Sequence, residues 1–217
     1  RIQNAFGELA KGRTSIIIAH QDKLASVYGN LDKDSLNDSV KNKTSLKEGQ
    51  KIAETGNSGW QQKRSNLEFQ IIDTQKSIAI NPKILLPRTE NEIDLTLTNI
   101  VLQNKNGDFF NIKEQKTFPS GLYRVYQSRN KTAVPYKTTV TINGVIVDQI
   151  SYDTISQENG KTYVVGKKKY ISTDIYPDEE LLLLGETMLT PGKSTLGLSV
   201  DNFLGKQKQI TYSITIN

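Results

Sequence analysis

Asn66 and Glu68 stand two apart in SNLEFQI (65–71), alternating with Leu67, Phe69 and Ile71. Strict alternation predicts a strand with one face buried. The amide and the carboxylate then share the other face, where such a pair could meet a metal or the polar group of a substrate. Asn30 is the penultimate residue of a second strand-like run, LASVYGNL (24–31), two residues after Tyr28. The only histidine of the 217 residues, His20, closes TSIIIAH (14–20), and cysteine is absent. Thiolate nucleophiles, cysteine zinc sites and iron–sulfur clusters are therefore excluded. A two-histidine zinc site cannot be built from this chain alone.

The remaining candidates read as structure. Glu68 and Asp73 suggest an acid/base pair, but five positions apart they face opposite sides of a regular strand. YPDEE (176–180) has turn chemistry and lacks the alternating ligands of a calcium loop. His20 is expected to cap its strand or bond a nearby turn. Trp60 follows the glycine turn GNSG (56–59) and is placed either at the rim of a groove or over the core. The sequons at Asn37, Asn42 and Asn130 would carry no meaning if the source were bacterial.

The formal charge of +5 is dispersed, with dense basic clusters at KGR (11–13) and GKKK (166–169). Both read as solvated turns. Tyr163 and Tyr170 flank GKKK as a hairpin's cross-strand pair would, so nucleic acid is not expected as a partner. No apolar run reaches the roughly 18 residues of a transmembrane helix. The chain starts at Arg1 without a signal-peptide pattern, which suggests a processed or trimmed product.

Nearly every element that must position these residues reads as strand. The first half offers 14–20, 24–31, KIAETG (51–56) and NLEFQIID (66–73), with Leu36 and Val40 spaced for one helical turn between them. INPKILLPRTENE (80–92) carries two prolines and then charge, and places a boundary between domains 1–88 and 89–217. Beyond it, runs such as GLYRVYQ, KTTVTINGVIVDQISYD, KKYISTDIY, LLLLG and KQITYSITI alternate with turn signals, the pattern of a β-sandwich. Asn143-Gly144 between β-branched flanks is the strongest hairpin signal. The fold class is all-β.

Three stretches of the first domain, taken in order, resemble the lysostaphin-like (LytM) zinc endopeptidases, which cut peptide cross-bridges of bacterial peptidoglycan. They are YGNL (28–31), LKEGQKIAETGNSG (46–59) and NLEFQ (66–70) followed by Asn81-Pro82. The family shows Y-x-H-L, then a glycine-spaced stretch, then H-L-H-F-E and N-P. The resemblance covers residues 1 to about 87. It implies a LytM-type β-sheet domain, and the last strands of the chain look like those of an immunoglobulin-like (Ig-like) sandwich.

The departures bear on the chemistry. Asn30 replaces the histidine of Y-x-H-L, and Asn66 and Glu68 replace the H-x-H pair. In the family the second histidine of that pair binds zinc, and the other two assist the water and the oxyanion. A carboxylate can bind zinc, but asparagine cannot shuttle a proton at neutral pH as imidazole does. The family's remaining ligands, an H-x3-D arrangement, would lie upstream of Arg1. The expectation is therefore a noncatalytic domain with no cofactor, whose groove is lined by Tyr28, Asn30, Trp60, Asn66 and Glu68. The expected partners are peptidoglycan, a cell-wall amidase or hydrolase, or another envelope protein, outside the cytoplasmic membrane in a bacterial periplasm or cell envelope. One alternative is an active zinc endopeptidase completed by upstream ligands; another is a surface adhesin acting through the Ig-like domain.

Overall fold

The computed structural model describes residues 14–42, 45–57, 65–87, 93–130, 133–159 and 161–217. The chain divides into two compact units, Arg1–Pro82 and Lys83–Asn217. The boundary expected at 88/89 falls outside the described residues, as do Trp60 and KGR (11–13). Among the described residues no helix is long and apolar enough to cross a membrane.

The first unit is an antiparallel meander of β1 (Thr14–Ala19), β2 (Leu24–Leu31), β3 (Glu68–Asp73) and β4 (Ile78–Ile80), each pairing with the next. Isoleucine and valine fill these strands because branched side chains suit a pleated, half-buried surface. Ala25, Val27, Leu31, Ile71 and Ile72 are buried, so β2 and β3 form its centre. Asp73 closes the β3–β4 turn, its Oδ1 accepting from the amides of Gln75 and Lys76 at 2.9 Å each. That turn role accounts for Asp73 and removes the acid/base reading with Glu68. The one-turn helix suggested by Leu36 and Val40 exists as α1 (Asp38–Asn42). Asn37 caps it, accepting from the Ser39 amide at 2.9 Å.

KIAETG does not form the expected strand. It touches β2 through the single bridge Leu31–Thr55 and otherwise runs extended, with Asn37 N–H donating to Ile52 and Asp32 N–H to Glu54. Polar loop groups, rather than a neighbouring strand, take up its carbonyls.

The second unit is a β-sandwich. One sheet runs β10 (Val145–Ser151), β9 (Lys137–Ile142), β15 (Gly192–Asp201), β16 (Gln207–Ile216) and β7 (Thr117–Phe118). The other runs β14 (Leu181–Leu189), β8 (Gly121–Ser128), β5 (Val101–Gln103) and β6 (Phe109–Asn111). Leu102, Tyr123, Val125 and Leu184 from the second sheet meet Val140, Leu196, Leu198 and Ile214 from the first in one buried core. The Tyr123 hydroxyl donates to the Pro119 carbonyl at 2.9 Å, a bond of the kind that ties down corners in β-sandwiches. Asn143 and Gly144 form the two-residue hairpin turn, both at positive φ (51° and 80°), as a type I′ turn requires.

A further layer holds β11 (Thr154–Glu158), β12 (Lys161–Val165), β13 (Lys169–Ile171) and α2 (Ser172–Ile175). KKYISTDIY was expected as strand throughout, but after Ile171 the chain turns helical, and the Asp174 carboxylate accepts the Ile171 amide at 3.3 Å. Tyr163 and Tyr170 are not a facing pair: Tyr163 faces Ile171 and Tyr170 faces Val164. Tyr170 is wholly buried in a second core cluster with Tyr126, Ile150 and Leu183. YPDEE is a solvated turn in which Asp178 Oδ1 accepts the amides of Glu180 and Leu181 at 2.7 and 2.8 Å.

Candidate functional site

Two features of β2 bring Asn30 to its position. Thr14 pairs with Leu31 and Ile16 with Tyr28, so Gly29 and Asn30 together oppose Ser15. This is a β-bulge, which re-aims a side chain out of the regular alternation. Asn30 also has φ of 57°, in the left-handed region that asparagine tolerates better than most residues.

The result is a buried knot of amides. Asn30 is fully buried. Its Nδ2 donates to the Gly56 carbonyl and to the Asn66 carbonyl, each at 2.9 Å, and also to Asn66 Oδ1. In return the Gly56 amide donates to the Asn30 carbonyl at 2.6 Å, and the Asn66 amide donates to the Gly56 carbonyl at 3.3 Å. Three sequence segments thus meet at one point. Gly56 is there for space, since a Cβ would lie 2.8 Å from the carbonyl carbon of Leu31 and 2.9 Å from its oxygen.

Glu68 faces Gly29 across the β2–β3 pair. A Cβ on Gly29 would lie 3.3 Å from Glu68 Cβ and 3.4 Å from Oε2, so the carboxylate folds back over the glycine beside Asn30. Tyr28 occupies the adjacent row opposite Phe69, with ring centroids 5.0 Å apart. Adjacent rows of a sheet point to opposite faces. Tyr28 therefore packs on Phe69 and does not share the face of Glu68.

His20 lies at the far end of the β1–β2 hairpin. Its amide donates to the Leu24 carbonyl at 2.8 Å, and Nε2 is 2.9 Å from the Ser26 hydroxyl. Six residues along β2 from Leu24 to Asn30 span roughly 20 Å. His20 was expected to cap its strand or bond a nearby turn; its imidazole instead meets Ser26 within β2, and only its backbone amide closes the hairpin.

This donor set does not fit a zinc ion. Asn30 points an NH2 group at oxygens, Asn66 Oδ1 is engaged by that group, and Glu68 is one carboxylate where a site needs three or four ligands. Among the described residues no group of three or more histidine, cysteine, aspartate or glutamate side chains is placed to hold a metal.

A bulged hairpin, a glycine-bearing loop and a third strand converge on Asn30, Asn66 and Glu68 in a small β-sheet unit. Residues 5–82 match the model of peptidase family M23. A second family model, without a description, matches residues 94–217. No curated protein and no solved structure matches the chain.

Sequence reasoning selected Asn30, Asn66 and Glu68 but missed the role of Gly56 in joining them. It also missed a row of polar residues in the second unit, Gln103, Arg124 and Glu186. Its signal was present: a guanidinium within GLYRVYQ and a carboxylate within LLLLGETML, each interrupting an apolar strand.

Proposed function

We propose that the first unit is a noncatalytic M23-type domain acting outside the cytoplasmic membrane, in a bacterial periplasm or cell envelope. It binds peptidoglycan, or docks on a cell-wall hydrolase and regulates it. The M23 match supports the link to cell-wall chemistry. The observation that carries the noncatalytic reading is the bond from Asn30 Nδ2 to both oxygens of Asn66. Where the resemblance expects imidazoles that move protons, two amides are tied to each other, and an amide has no proton to exchange near neutral pH. Glu68 stands beside them as a polar group of the groove.

Co-sedimentation of the chain with insoluble peptidoglycan, paired with the rate of a purified cell-wall amidase with and without it, tests this reading. Retention in the pellet, or faster amidase turnover, is expected, and either effect should weaken with Glu68→Lys. Neither effect, together with zinc-dependent cleavage by the chain itself, would favour an active endopeptidase instead.

A further inference from the structure

Most of one edge of β16 is open. β7 covers only its end, where the amides of Thr215 and Asn217 donate to the carbonyls of Lys116 and Phe118 at 2.7 and 3.0 Å. Backbone groups that face one edge of a strand recur at every second residue. Those of Gln207, Gln209, Thr211 and Ser213 therefore face the same side as Thr215. Among the described residues nothing bonds them there, and all four residues are exposed.

The other outer strands of the sandwich are blunted. β10 and β14 each carry a register shift, at Ile146/Asp148 and Leu183/Gly185. β6 and β7 are three and two residues long. Bulges and short strands are devices that keep an edge from pairing. β16 instead pairs with β15 over ten consecutive residues without a shift. It holds no proline and no glycine, and its one charge is Lys208.

We propose that β16 pairs antiparallel with β16 of a second copy of this chain, about a two-fold axis at Ile210. The open groups run from Gln207 to Ser213, and Ile210 is their midpoint, so this register uses all four on both copies. Gln207 pairs with Ser213 of the second copy and Gln209 with Thr211, each pair exchanging two hydrogen bonds. The side chains suit that register. Ile210 and Tyr212, which pack on the sandwich core, fall opposite Ile210 and Lys208 of the second copy. The other face holds only glutamine, threonine and serine. The two Lys208 side chains stand four positions apart along the ladder, roughly 13 Å, farther than exposed charges act at physiological salt. Parallel pairing in register would set Lys208 directly against its counterpart, which is destabilising. Lys116 already lies 4.9 Å over the Tyr212 ring, so Lys208 of the second copy keeps its ammonium in water. A two-fold pair uses the edge of each copy once and closes, so no fibre follows. The pairing concerns the second unit and does not depend on what the first unit does.

Sedimentation equilibrium of the full chain, from dilute solution up to about 1 mM, tests the proposal. The mean mass should rise from one chain to two and stop there. Thr211→Pro removes an N–H that takes no part in the pairing with β15, so the thermal midpoint of the dilute chain should hold. Association should weaken about tenfold or more, because each copy loses a bond across the axis. The chain has no cysteine, so a single introduced thiol reports the register whatever the proline variant does. Ile210→Cys should form a disulfide between copies under mild oxidation. Thr211→Cys should do so several-fold more slowly, since its counterpart lies on the diagonal, roughly 7–8 Å away. A mass of one chain at every concentration, growth beyond two, association unchanged by Thr211→Pro, or equal rates for the two thiols would each overturn the proposal.

Discussion

The side-chain amide of Asn30 donates to the backbone carbonyl of Asn66 at 2.9 Å and to its side-chain oxygen, although 36 residues separate the two in sequence. That contact, with Gly56 bonded to both, joins the bulge of β2, the loop after α1 and the entry to β3. It gives both asparagines a structural duty at the place where the resemblance expects catalytic histidines.

Asn30→Ala should destabilise the first unit by about 2–4 kcal/mol. It removes the donor shared by the Gly56 and Asn66 carbonyls and Asn66 Oδ1 and places a Cβ residue without a polar side chain at φ of 57°. Asn30→Gly loses the same bonds but not the conformational preference, and should cost about 1 kcal/mol less. Urea titration followed by the amide resonances of Ala25 and Val27 separates the two variants.

Gly56→Ala drives a methyl into the backbone of Leu31, at 2.8 Å from its carbonyl carbon. Backbone cannot step aside as a flexible side chain can, so the cost should be about 2 kcal/mol. Hydrogen exchange of the Gly56 amide, now bonded to the Asn30 carbonyl, should then accelerate roughly thirtyfold.

Asp148 is buried in the second unit, with Oδ1 accepting the Lys167 amide at 2.7 Å and Oδ2 accepting the Tyr170 hydroxyl and the Glu186 amide at 2.5 and 2.8 Å. Asp148→Ala strands three donors and should cost about 3–5 kcal/mol in that unit. Asp148→Asn keeps an acceptor and should fall between it and the parent. Thermal unfolding monitored by near-ultraviolet circular dichroism reads the order.

Burial, and then the carboxylate of Asp148, push the Tyr170 phenol far above the ordinary tyrosine value. Burial does the same for Tyr152. In the unfolded chain both ionise near pH 10, whereas in the folded chain they stay neutral. Their stabilising effect is therefore complete below about pH 10 and is lost as pH rises past it, by about 1.4 kcal/mol per pH unit for each tyrosine. Urea unfolding at about pH 8 and about pH 11 should show this loss, and Tyr170→Phe should remove one tyrosine's share of the slope.

The sequence was most legible where local chemistry alone decides the backbone. Asn143-Gly144 made its hairpin, and Asn37 began the short helix that Leu36 and Val40 suggested. Reading failed where a segment's partner lies far away in sequence. KIAETG has the look of a strand, but its carbonyls are taken by Asp32 and Asn37 of a loop. Within KKYISTDIY the Asp174 side chain bonds the Ile171 amide and starts a helix. Asn30 and Asn66 were singled out because they stand where the resemblance expects histidines, yet no pattern within 24–31 announced the bulge that turns one toward the other. Tyr28 was grouped with them through motif proximity, and strand register sends it to the opposite face.

The central claim is that the groove of the first unit does no chemistry. The most direct measurement is release of dye-labelled fragments from purified peptidoglycan by the 217-residue chain with added zinc, alongside a chelator control. The account predicts release no faster than the buffer blank, with or without chelator. Zinc-dependent release that the chelator abolishes would contradict it.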